Sequence, residues 1–156
     1  RQQLNQVFIT FAEIVPIWSR CLWPNRVSKI ESHSCMTWPG NSNVEYDPLI
    51  FLQPVYFWGI KKAGHIVAVN SVHLTNEKEF RSRGLWVHPL YRNTGLASTM
   101  LTDLIGCARR SKATMVWSIP RLSSLPVYEK AGFVSTELEF KTATEFGPNV
   151  YCKLDL

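Results

Sequence analysis

Between Phe80 and Ile119 the chain reads as a strand, a basic loop with one glycine, a long amphipathic helix and a buried strand, and few folds accept that order. Phe80 to Val87 is rich in strand formers and stops at His88-Pro89. After the loop Leu90-Tyr91-Arg92-Asn93-Thr94-Gly95, apolar Leu96, Met100, Leu101, Leu104, Ile105 and Ala108 recur with the helical period, predicting a helix to about Arg110. Ala113 to Ile119 is almost continuously apolar, as suits a strand covered on both faces, and Pro120 ends it. A strand, a crossover helix and a second strand make a β-α-β unit, whose strands run parallel. The start of the crossover helix offers unpaired N–H groups and a partial positive charge. Gly95 lets backbone come close to an anion and Arg92 adds formal charge, so the loop suits a pyrophosphate. Arg-x-x-Gly-x-Ala is not the Walker pattern, because no Gly-Lys-Ser/Thr follows. Nor is it the dinucleotide fingerprint, because antiparallel strands precede it.

Upstream, Thr10-Phe11-Ala12-Glu13 has the form of a capping box, and Phe11, Ile14, Val15, Trp18 and Leu22 continue at helical spacing, interrupted by Pro16. Residues 26–48 read as loop, with turns at Pro39-Gly40-Asn41 and Asp47-Pro48. Val55 to Ile60 and Ile66 to Val72 form a hairpin through Lys62-Ala63-Gly64-His65, and Phe80 to Val87 continues it after a turn at Glu77-Lys78. Downstream, a short helix is expected from Leu125 to Ala131 between Ser124 and Gly132. Phe133–Phe140 and Val150–Leu154 make a final hairpin. The fold class expected is α/β with a mixed sheet, in a single domain over 1–156.

The chain carries 17 basic and 12 acidic residues, a net +5. Residues 81–130 hold eight of the basic residues and only Asp103 and Glu129 of the acidic ones, so this segment carries +6 on a near-neutral body. Such a segment attracts phosphates of a nucleotide or of a nucleic acid. Arg109-Arg110-Ser111-Lys112 alone reads as a solvated helix end. No helix-turn-helix, zinc-finger, RRM or KH pattern accompanies the charge. Cys21, Cys35, Cys107 and Cys152 lack metal-site or C-x-x-C spacing, and no metal is expected. No apolar run is long enough to span a membrane. The polar opening Arg1–Gln6 is not a signal peptide, so the expectation is a cytoplasmic protein with reduced, mostly buried thiols.

Ser123-Ser124-Leu125-Pro126-Val127-Tyr128-Glu129-Lys130-Ala131-Gly132-Phe133 follows the glycine loop by about thirty residues. Together the two segments resemble the GNAT superfamily of acetyl-CoA-dependent N-acetyltransferases. The first is similar to that family's Gln/Arg-x-x-Gly-x-Gly/Ala loop and the second to its Tyr-Glu-Lys-x-Gly-Phe segment. The resemblance covers about residues 55–154. Arg81–Val87 and Val116–Arg121 also look like GNAT-like proteins of marine phages. The resemblance implies a GNAT-like acyl-CoA N-acyltransferase fold, with 55–154 as the CoA-binding core and 1–50 as a variable acceptor-side region. It implies acetyl-CoA in a V between the strands Phe80–Val87 and Ala113–Ile119. Leu85, Trp86 and Val87 would pair with the pantetheine. Arg92, Asn93, Thr94, Gly95, Leu96 and Ala97 would hold the pyrophosphate, and Ser123 would add a polar contact. Tyr128 would protonate the departing thiolate.

The general base is less determined. Some members carry a Glu on the strand before the loop, where this chain has Arg81. Glu79, two residues away on the same strand face, is the candidate, with Glu77 and His73 as further options. Arg81 and Arg83 share one face, which suggests either an anionic acceptor or pairing with Glu77, Glu79 or Glu137. Trp23, Trp38 and Trp58 fall where the family varies its acceptor pocket, as stacking surfaces or as core. The activity expected is transfer of an acetyl group to a primary amine of a small molecule or peptide, by a monomer or homodimer. The alternatives are a nucleic-acid-binding module using 81–130, or a protein of this fold acting on modified nucleobases.

Overall fold

The computed structural model describes residues 5–39, 46–140 and 148–156. Gly40 and Asn41 of one expected turn lie outside them, and so does the side chain of Glu137. A short strand absent from the sequence reading comes first: β1 (Asn5–Ile9) pairs antiparallel with β2 (Val55–Lys62). Five residues at a sheet edge, opening on polar Asn5 and Gln6, give no period to read. α1 (Phe11–Ile17) starts at the expected capping box, in which the Glu13 N–H donates to Thr10 Oγ1 at 3.1 Å and the Thr10 N–H to Glu13 Oε1 at 2.9 Å. Pro16 has no N–H to continue the ladder, and the chain widens into a π-helical turn, Trp18–Leu22, closed by Trp23 N–H to Trp18 O at 2.7 Å.

β3 (His65–Asn76) and β4 (Glu79–Val87) extend the meander; α2 (Leu96–Arg110) crosses over to β5 (Met115–Ser118), which lies parallel to β4. After α3 (Leu125–Lys130), β6 (Val134–Phe140) and β7 (Asn149–Asp155) pair antiparallel, and β7 returns beside β5. The sheet order is β1-β2-β3-β4-β5-β7-β6, a mixed α/β architecture. On one face, Met100, Leu101 and Leu104 of α2 and Phe133 close a core with Ile60, Val72, Phe80 and Val116. On the other, Ile14 and Trp18 cover Phe57, Val69 and Trp86, while Trp38 seats on Met115 and Trp117.

Two features open the sheet where a ligand can enter. β4–β5 pairing runs only from Glu79↔Met115 to Arg81↔Trp117, although β4 continues to Val87. At the parting point Ser118 Oγ donates to the Ser82 carbonyl at 2.7 Å, so a side chain takes over from the ladder. The β3–β4 register then steps from Ser71↔Arg83 to Val69↔Trp86, three residues of β4 facing two of β3. This is a bulge, and Gly84 sits in it at φ +76°. Trp18 fills the space where a side chain would project, and its Nε1–H donates to the Gly84 carbonyl at 2.9 Å.

The basic residues of 81–130 are dispersed. Arg81 and Arg83 are buried, Arg109 and Arg110 end α2, and Arg92, Arg121 and Lys130 line a cleft. The cysteines are free thiols, with Cys35 and Cys152 buried, Cys107 half-buried and Cys21 exposed, so burial is less general than expected. Among the described residues no helix is long and apolar enough to cross a membrane, and no group of three or more His, Cys, Asp or Glu could hold a metal ion.

Candidate active site

The parted strands border two cavities that share Leu22, Leu85, Arg121 and Ser124. The larger, about 650 Å³, runs along Leu85, Trp86 and Val87 to the start of α2, where Arg92, Asn93, Gly95, Leu96 and Ala97 line it. Ser123 and Lys130 of the opposite wall line it too. Of the expected co-substrate residues, only Thr94 is not among the lining. Its hydroxyl turns back to the Tyr91 carbonyl. Gly95 is the N-cap of α2 at φ +88° and provides no side chain to cap it. The first-turn N–H groups of Leu96, Ala97 and Ser98 therefore lack an intrahelical partner, and nothing lies within 4 Å of the position a Gly95 side chain would take. Arg92 is tied to the loop by Nε–H to the Val87 carbonyl at 3.1 Å. Cations and unpaired amide donors thus converge on one end of the cleft, as an anionic pyrophosphate requires. Beyond Arg81 the edge of β4 is free of β5, as an extended amide-bearing chain requires.

The smaller cavity, about 130 Å³, lies at the parting point. Tyr128 of α3 reaches it with its ring only 2% exposed and packed edge-on against Phe133 at 5.1 Å. Its hydroxyl lies 3.0 Å from Ser82 Oγ and 3.3 Å from Ser118 Oγ. Ser82 also bonds Asn70. Burial pushes the Tyr128 phenol up to about 12, opposed by its hydrogen bonds with Ser118 and Ser82, so it stays protonated at neutral pH.

Glu79 is 5% exposed and lines neither cavity; its carboxylate accepts from Asn76 Nδ2 at 2.8 Å. His73 lines neither. Its Nδ1–H donates to the Leu74 carbonyl at 3.1 Å and its Nε2 accepts from the Ser34 N–H at 3.3 Å. Glu77 is exposed at a turn. Arg81 and Arg83 both line the smaller cavity and make no ion pair with Glu77 or Glu79. Of the three tryptophans, Trp23 lines this cavity, Trp38 packs edge-on against Trp117, and Trp58 belongs to the α2-side core. Arg26, Arg121 and Asn149 complete a polar lining drawn from two irregular segments and the first residue of β7. Of these the sequence marked only Arg121, as one of the basic residues of 81–130.

A model of the acetyltransferase (GNAT) family matches residues 22–133. No curated protein matches the chain. Among solved structures, a protein of Lactobacillus plantarum, itself only provisionally assigned as an N-acetyltransferase, is 14% identical. It aligns over 99% of both chains with a TM-score of 0.69. The ribosomal-protein-alanine N-acetyltransferase of Brucella melitensis is 18% identical over 65% of this chain and 69% of its own, with a TM-score of 0.56. The PaiA N-acetyltransferase of Thermoplasma acidophilum, solved with coenzyme A, is 11% identical over 65% of this chain and 61% of its own, with a TM-score of 0.55. At such identities the likeness establishes the fold. The fold is that of the acyl-CoA N-acyltransferases. The family match covers most of the chain, which belongs to the acetyltransferase (GNAT) family.

Proposed function

We propose that the protein transfers an acetyl group from acetyl-CoA directly to a primary amine held in the smaller cavity. The observation that carries this reading is the junction of the two cavities beside Tyr128. A cleft suited to a pyrophosphate and an extended chain leads to a small chamber with a protonated, buried hydroxyl. Residues 55–154 supply the co-substrate side, and Trp23, Arg26 and other residues of 1–50 close the acceptor side. Acetyl-CoA supplies the activated thioester. Amides at the start of α2, with Arg92 and Lys130 alongside, bind its phosphates, while the unpaired edge of β4 orients its chain. Ser82 and Ser118 hold the Tyr128 hydroxyl in place as the donor to the leaving sulfur. The amine proton leaves to water. The nucleic-acid reading lacks support, since the basic residues do not share one surface.

The test is melting with acetyl-CoA, coenzyme A and unrelated nucleotides, followed by a thiol-release screen of primary amines. A ligand at about 100 times its Kd stabilises the native state by about 2.7 kcal/mol, so acetyl-CoA should raise Tm by several degrees. Gly95→Glu places a carboxylate in the phosphate end and should abolish that rise in a protein that still melts cooperatively. No rise for wild type, or the same rise for the variant, overturns the reading.

A further inference from the structure

The smaller cavity contains a buried cation that no hydrogen bond or ion pair among the described residues fully satisfies. Arg81 and Arg83 project from β4 on the face away from α2, 7% and 6% exposed. Arg83 is well housed: Nη1 donates to the Glu31 carbonyl at 2.8 Å, and its guanidinium lies 5.0 Å from the Trp18 ring and 5.3 Å from that of Trp23. Arg81 is not. Its guanidinium lies over Trp117 at 5.0 Å, yet Nε and Nη1 are buried without a hydrogen-bond partner among the described residues. The ion pairs among those residues are Lys29–Glu31 and Lys153–Asp155, both distant in sequence and exposed or half-exposed. Burial brings the Arg81 guanidinium down to about 10, which keeps it a cation at neutral pH. A buried charge without a partner is strongly unfavourable, so a cation that the described residues leave unpaired on a cavity wall favours an occupant of opposite charge.

Asn149 supplies the complementary group. Its Nδ2 donates to the Ile119 carbonyl at 3.0 Å, which fixes the orientation of the amide. Its Oδ1 is then a buried acceptor without a partner among the described residues, and Asn149 lines the same cavity. Arg26 and Arg121 line it too, and among the described residues no Asp or Glu does. A cavity of about 150 Å³ takes a benzene-sized guest, so about 130 Å³ suits a head group of few heavy atoms.

We propose that the acceptor is a small amino acid-like molecule, its carboxylate bound by Arg81 and its amine directed to Asn149 Oδ1 and towards the Tyr128 hydroxyl. Planar guanidinium and carboxylate groups are matched in shape as well as charge. This rests on the acetyltransferase reading and gives it a substrate class. The amine nitrogen attacks the thioester carbonyl, the C–N bond forms as the C–S bond breaks, the amine loses a proton to water, and the thiolate gains one.

The experiment compares each of the common L-amino acids with its own carboxamide, alongside O-phosphoethanolamine and cadaverine, by thiol release with wild-type protein and acetyl-CoA. At least one amino acid should exceed its carboxamide in kcat/KM by roughly 10²-fold or more, since a site built for a charged group rejects an analogue lacking it. Arg81→Gln should collapse that ratio towards one. Arg81→Lys, which keeps the charge but not the planar fork, should restore part of it. Calorimetric binding of coenzyme A shows that each variant is folded. Acids and carboxamides turned over alike, or a preference for O-phosphoethanolamine or cadaverine, overturn the carboxylate assignment and leave the acetyltransferase reading standing. No thiol release with any probe, or no binding of acetyl-CoA, overturns both.

Discussion

The Tyr128 hydroxyl is placed by two serines that come from different strands, Ser82 from β4 and Ser118 from β5. A phenol pushed up to about 12 is a poor match for neutral pH, and general acids work best with a pKa near the working pH. Tyr128→Phe should therefore lower kcat towards the small end of the usual range of roughly 10²–10⁴-fold. Because burial raises the phenol, its protonated form persists well above the ordinary value near 10. The ratio of wild-type to variant kcat should then stay flat from pH 6 to 10. A ratio that falls away between pH 8 and 10 would show an ordinary titrating phenol instead. Unchanged kcat throughout would reduce Tyr128 to a packed aromatic. Tyr128 was legible in the sequence because it sits inside a motif. Ser82, which positions it from 46 residues away, was not, because a lone serine in a strand carries no pattern.

At the scale of elements, the bulge in β4 follows just beyond the point where its pairing with β5 ends, and its glycine has two separate reasons to be there. A side chain at φ +76° costs about 1–2 kcal/mol from backbone sterics. An added Cβ at Gly84 would also stand 2.4 Å from the Trp18 ring, which is fully buried, and overpacking typically costs about 1–3 kcal/mol. Gly84→Ala should lower unfolding stability by roughly 2–5 kcal/mol, read from the urea midpoint. In a Trp18→Phe background the same change should cost less, because a smaller ring relieves the clash but not the dihedral. Equal costs in both backgrounds would mean that packing on Trp18 plays no part. Periodicity marked α1, α2 and the meander within a few residues. The bulge escaped it, since a glycine in a strand signals several things, and only the Trp18 packing, 66 residues away, selects one of them.

Across the whole molecule the sheet divides two kinds of interior. The face under α2 and α3 is apolar apart from the hydrogen-bonded group Asn70, Ser82, Ser118 and Tyr128, while the face under the N-terminal third buries Arg81, Arg83 and His73. The proposed co-substrate side was legible because it is local, a strand, loop and helix in succession. The proposed acceptor side was not, because the lining from 23–36 has no period and meets β4 and Asn149 only in three dimensions. That polar seam has a consequence for stability. His73 is fully buried and pairs in register with Arg81 on β4, with Arg83 on the same strand face and the His33 ring 5.2 Å away in the covering loop. Burial first, and then Arg81, hold its imidazole well below the ordinary 6.5. Its partners fit the neutral ring, which donates from Nδ1 and accepts at Nε2. In the unfolded chain the ring titrates normally, so below pH 6.5 the unfolded state binds a proton that the native state refuses. Stability from this group is therefore complete above pH 6.5 and is lost as pH falls towards the native value, with a slope of at most about 1.4 kcal/mol per pH unit for one proton. His73→Gln keeps a donor and an acceptor but does not titrate. Urea unfolding between pH 7.5 and 5 should show wild type losing stability more steeply than the variant, whatever the variant's absolute stability. Parallel curves would place the acid sensitivity of the fold elsewhere than in this seam.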